Sequence, residues 1–90
     1  MLSFLPKNPN DIMQELQAKF KKQRRTLGYT QKELATHSEV SLGSLKRFES
    51  SGQISLESLL KLSLVLECLA DFEGVCEPKE VMPQSIEELL

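Results

Sequence analysis

Ninety residues with 40% apolar content are enough for one small domain with a thin core, which favours dimerisation. The formal net charge of −2 hides a split: residues 1–50 carry nine Lys/Arg against five Asp/Glu, net +4, and residues 51–90 carry two against eight, net −6. An acidic whole therefore does not exclude a polyanionic partner, whereas the lack of any apolar run of about 18 residues excludes a transmembrane helix.

Residues 1–8 read as a short arm without the basic leader and apolar core of a secretion signal. Asn8-Pro9 is a good helix start, with Asn as cap and Pro at the first helical position. A long helix is predicted to run to about Thr26, burying Ile12, Leu16 and Phe20 with Met13 and Leu27 beside them. Its second half, Lys19 to Arg25, is strongly basic, and Gly28 is its stop. Thr30 with Glu33 makes a capping box for a second helix, in which Leu34 and Ala35 face inward. His37 to Val40 form a tight connection, with Val40 as an apolar plug. Ser41 caps a third helix, 42–50. Leu45 and Phe48 share one face of it, and at about 100° per residue the opposite face holds Gly43, Lys46, Arg47 and Ser50.

After a loop at Ser51-Gly52-Gln53, Ser55 caps a fourth helix, about 56–66. Its leucines cover more than half its circumference, and only Glu57, Ser58 and Lys61 mark a polar strip. Such a helix is central to a core, with one edge free to pack on a second copy; Leu62, Val65, Leu66 and Leu69 are the candidates for that interface. Residues 69–75 allow a short fifth helix. The remainder, 76–90, is an acidic tail: a Pro-containing connector, then PQSIEELL as a helical turn capped by Ser85 with Glu88. The expected organisation is thus an arm (1–8), an all-α domain (9–75) and a tail (76–90).

Cys68 and Cys76 are too few for a structural zinc site, and His37 lies far from them in sequence, so reduced thiols, no metal and no cofactor are expected. No Ser/His/Asp, Cys/His or paired-carboxylate arrangement and no Gly-rich phosphate loop suggests an enzyme.

Two short helices joined by a tight turn, the second with a cationic outer face, are how a small protein places side chains in the major groove of DNA. On that face Arg47 is the best base reader, since a guanidinium donates twice to guanine O6 and N7. Lys46 suits a base or a phosphate, Leu42 a thymine methyl, and Gly43 a close backbone approach. Ser41 and Ser44 suit phosphates as well as caps, and Arg25, with Lys21 and Lys22, suits phosphates or solvent.

The order Thr30-Gln31, Leu34-Ala35, Ser41, Ser44-Leu45 and Phe48-Glu49 resembles the Cro/C1-type (XRE) helix-turn-helix family, with its lambda-repressor-like fold, over residues 10–72 or so. The resemblance implies a five-helix all-α domain, a phosphate contact by Gln31, a partly buried ion pair between Arg24 and Glu49, and a homodimer on double-stranded operator DNA. One departure is Glu39, where the family usually has Gly; a left-handed backbone there costs an L-residue about 1–2 kcal/mol. Within the family, the stretch from Ser44 to Val75 looks most like HipB-type antitoxins. This implies a repressor of its own toxin–antitoxin operon, bound to a HipA-like serine/threonine kinase, in a bacterial cytoplasm and on the nucleoid when DNA-bound. Two alternatives share these residues. One is a phage or plasmid repressor, or a restriction–modification controller, with no kinase partner. The other is a protein-interaction module that does not read DNA.

Overall fold

The computed structural model describes residues 7–78, which form four α-helices and a 3-10 helix and no strands. These are α1 (Pro9–Thr26), α2 (Gln31–Ser38), α3 (Leu42–Ser51), α4 (Leu56–Val65) and the 3-10 helix Leu69–Gly74. The expected five-helix, all-α architecture is what the chain adopts. Most of the N-terminal arm and the tail from residue 79, including the turn expected at Ser85, lie outside the described residues.

Each α-helix starts on a side-chain cap. Asn8 accepts from the Asp11 amide at 2.8 Å while Asp11 accepts from the Asn8 amide at 3.2 Å, so two otherwise orphaned N–H groups are satisfied. Thr30 and Glu33 make the same reciprocal pair at α2. Ser41 and Ser55 cap α3 and α4 through the amides of Ser44 and Ser58, each at 3.1 Å.

The helices stop on left-handed residues: Gly28 just beyond α1, Glu39 after α2 and Gly52 after α3. Gly52 is doubly required. Its φ is +80°, and an added Cβ would sit 3.1 Å from the Met13 carbonyl oxygen on α1.

Phe20, Leu34, Ala35, Val40, Leu45, Phe48, Leu59, Leu62 and Leu66 build one core. The rings of Phe20 and Phe48 meet edge to face at 5.6 Å, and Phe72 brings the 3-10 helix onto Phe20 at 6.5 Å. Val40 is the plug the sequence suggested.

Two expectations need correction. Ile12 and Leu27 are not buried with the inner stripe; they are 43% and 36% exposed. The first turns of α1 instead turn Met13 and Gln14 toward the α3 end, where the Met13 backbone meets Gly52 and Gln14 donates to the Ser51 carbonyl at 3.0 Å. Ile12, about 100° from Met13 around the helix, is thereby swung outward. Leu62 and Leu66 are the second correction. Both are 0% exposed and have no surface to offer a second copy. With Leu59 they form the face of α4 that closes the core, and even Ser63 beside them is buried, its hydroxyl donating to the Leu59 carbonyl at 2.7 Å. The apolar surface α4 leaves free is Leu64, 66% exposed, and Leu56 at its start; Val65 is half-buried and Leu69 lies just beyond.

Candidate nucleic-acid interface

The interface is built from a locked inner face and an open outer face of α3. On the inner side, Arg24 and Glu49 form a bidentate pair: Nε to Oε2 at 2.7 Å and Nη2 to Oε1 at 3.0 Å. Both are buried, and Arg24 Nη1 donates further to the Tyr29 carbonyl at 2.9 Å. Burial favours the neutral form of the Glu49 carboxyl. The hydrogen bonds from Arg24 and Gln31 and the positive charges of Arg24 and Lys21 outweigh it and hold the carboxyl below its ordinary range. The pair therefore stays ionised and ties α1, the α1–α2 turn and α3 together.

Gln31 joins this network. Its Nε2 donates to Glu49 Oε1 at 2.9 Å, so the residue expected on a phosphate is also anchored to the buried pair. One amide hydrogen remains, beside the N-terminus of α2, where backbone N–H groups favour an anion.

On the outer side, Gly43, Lys46, Arg47 and Ser50 are all exposed, as the helical spacing predicts, and Ser44 is exposed beside them. An added Cβ at Gly43 would meet nothing within 4 Å, so no contact inside the chain demands glycine there. The Ser41 hydroxyl is occupied as a cap and donates to Ser44 Oγ at 2.8 Å. Ser50 turns back onto its own helix, donating to the Arg47 carbonyl at 3.2 Å. Leu42 is half-buried against the core and presents only part of its side chain. Arg25 and Lys22 are exposed on α1, where, with Lys21, Gln17 and Thr26, they line a shallow basic groove.

One residue at this surface was not among the sequence candidates. Gln53, in the loop after α3, accepts a hydrogen bond from Arg47 Nη2. Together with Ser44, Ile54, Ser55 and Ser58 the two line a cleft between α3 and the start of α4. The available signal was proximity, since Gln53 follows Arg47 by six residues, but helical periodicity says nothing about a side chain beyond the helix end.

Elsewhere, burial pushes the Cys68 thiol up, against a hydrogen bond with Ser63 and with help from Asp71, so it stays protonated at neutral pH. Among the described residues no three His, Cys, Asp or Glu side chains gather as a metal site would need, and no helix is long and apolar enough to cross a membrane.

A helix-turn-helix family model matches residues 20–72, from the Phe20 core ring to the Phe72 ring that packs on it. No curated protein and no solved structure matches the chain. The matched span covers more than half of the sequence and contains the capped pair α2–α3, the buried ion pair behind it and the cationic face in front. The chain belongs to the Cro/C1-type (XRE) helix-turn-helix family of DNA-binding transcription regulators.

Proposed function

We propose that this chain is a sequence-specific repressor of its own operon that binds a pseudo-palindromic operator as a homodimer. The observation that carries the reading is the pairing of a cationic, exposed Lys46–Arg47 edge with an inner face of α3 clamped by Arg24 and Glu49. A reading helix must hold its orientation to select bases, and here each of its two faces meets one of those needs. Gln31, the α2 N-terminus, Ser44 and Arg25 supply phosphate contacts, which give affinity and register without sequence information. The dimer face is the exposed edge of α4 around Leu64 and Val65, continued by Leu69. It sets the two α3 helices about 34–36 Å apart, one helical turn of DNA.

Within this reading the chain is the HipB-like antitoxin of a toxin–antitoxin operon and holds a HipA-like serine/threonine kinase. The likeness of the stretch 44–75 to that branch supports this assignment. Co-purification of the neighbouring gene product with this chain, and its identification as a kinase, tests it. A phage repressor or a restriction–modification controller would bind DNA equally well without that partner.

The decisive experiment for the DNA reading compares binding to the chain's own promoter with random DNA at about 150 mM salt, where specific complexes outcompete non-specific ones by about 10³-fold or more. Equal affinity for both would leave a protein-interaction module as the surviving reading.

A further inference from the structure

The loop after α3 places an amide oxygen against the best base reader of the chain, and that loop is unusually well held. Both Arg47 and Gln53 are exposed, and an exposed pair on a loose loop contributes little. Here the backbone of residues 51–53 is fixed from two sides. On one side α1 holds it: Gly52 is buried against the Met13 backbone, and Gln14 Nε2 donates to the Ser51 carbonyl at 3.0 Å. On the other side Ser51 Oγ bridges, accepting from the Gln53 amide at 3.1 Å and donating to the Arg47 carbonyl at 2.7 Å. The Gln53 side chain therefore leaves from a defined point, and its Oε1 receives Arg47 Nη2.

We infer that Gln53 is a positioning residue for base recognition: it holds the Arg47 guanidinium in one rotamer before DNA arrives. This rests on the DNA-reading assignment above. A guanidinium has five N–H donors in a planar fork. Gln53 engages one nitrogen, and the remaining donors stay available for guanine O6 and N7. Ordering a long side chain in advance spares part of the conformational entropy that a free arginine loses on binding. The neutral acceptor matters. A carboxylate at position 53 would hold Arg47 more tightly, but it would cancel its charge and repel the phosphates nearby.

The test uses the full chain and the variants Gln53→Ala, Arg47→Ala and the double variant, with two readouts. The first is the Arg47 side-chain NMR signal in the free protein: restricted rotation is expected in wild type and its loss in Gln53→Ala, with the melting temperature unchanged. The second is affinity for the operator and for single-base-pair variants of it. Gln53→Ala is expected to weaken operator binding by about threefold to tenfold. The loss should fall at the base pair that Arg47→Ala affects, leave random-DNA affinity and salt slope unchanged, and add nothing in the double variant. Independent, multiplying losses would overturn the inference. So would a uniform loss with a shallower salt slope, which would make Gln53 a phosphate contact in its own right. If wild type itself prefers no sequence, the DNA reading falls and this inference with it. If wild type discriminates and Gln53→Ala matches it, only this inference falls.

Discussion

The two sides of α3 use the same pair of chemistries, an arginine met by a side-chain oxygen acceptor, to opposite ends. Behind the helix, Arg24 meets Glu49 in the interior, and each of its three guanidinium nitrogens donates, two to Glu49 and one to the Tyr29 carbonyl. In front, Arg47 meets Gln53 in the open, with most of its donors uncommitted among the described residues. The buried pair is charged on both sides because burial without a counter-charge would be ruinous. The exposed one is charged on one side only, which keeps the field pointing toward a polyanion. The same side chain is a fold device or a reading device according to what is left for it to bind.

Removing the buried arginine should have the largest effect. Arg24→Ala strands Glu49 in the interior and should cost about 3–5 kcal/mol, a drop in melting temperature of roughly 10 °C or more for a domain of this size. Thermal unfolding checks it; an unchanged midpoint would show that the clamp is not what holds α3.

Acid probes the same clamp from the Glu49 side. Its folded-state pKa is depressed, so its contribution to stability is fully present above the ordinary glutamate value, about 4.3, and is lost as pH falls through the lower folded value. Melting temperatures measured from pH 7 down through this acid range should fall for wild type. In Glu49→Gln they should start lower and fall less steeply.

The same contrast of inside and outside divides α4, and there the sequence misled. Leu62 and Leu64 look alike on a helix rich in leucine, yet one is 0% and the other 66% exposed. Leu62→Ala should cost about 2–5 kcal/mol in the unfolding of the chain by denaturant. Leu64→Asp should shift the protein toward monomer in sedimentation and cost stability only by what dimerisation contributed, so that its unfolding midpoint no longer depends on protein concentration. Reversal of the two outcomes would mean that the core and interface edges of α4 have been exchanged.

What was legible in the sequence was local. Asn8 with Asp11, Thr30 with Glu33, and the caps Ser41 and Ser55 are contacts across three residues, so spacing alone reveals them. The outward set Lys46 and Arg47 followed from burying Leu45 and Phe48. The Arg24–Glu49 pair spans 25 residues and was expected only through the family resemblance. What stayed hidden depends on contacts with no local signature. Gln14 reaches Ser51, and Gln23 donates to the Leu66 carbonyl, across 37 and 43 residues. The first helps turn Ile12 outward and, with Gly52, fixes the loop that presents Gln53. The second draws the end of α4 against α1, where Leu66 is buried. Leucine-rich helices are ambiguous for the same reason: periodicity cannot rank leucines when nearly every face has one.

On the reading face, Arg47→Ala should cost about 1–3 kcal/mol of operator affinity and relax selectivity at one base pair, with stability untouched. Binding to a panel of single-base operator variants measures it. A loss spread evenly over all sequences would make Arg47 a phosphate contact and move the reading role to Lys46.

The smallest effect concerns the turn between the two helices. Glu39 has φ 63° and ψ 24°, the left-handed conformation that the family's usual Gly adopts freely. The geometry of the turn is therefore kept and its cost carried, because the residues on either side over-determine it. Val40 is buried in the core, and its amide donates to Ser38 Oγ at 3.2 Å. Glu39→Gly should release about 1–2 kcal/mol of strain and give back about 0.5–1 kcal/mol through the greater freedom of glycine in the unfolded chain. The net is a gain of about 0.5–1 kcal/mol, a rise of a few degrees in melting temperature, with operator affinity unchanged because Glu39 is not on the outer face of α3. A fall in melting temperature would instead show that the Glu39 side chain contributes more than its backbone costs. The cleft it lines with His37, Ser38, Lys61, Leu64 and Val65 is where that contribution would have to arise, and there Lys61 is already paired with Glu57 at 3.4 Å.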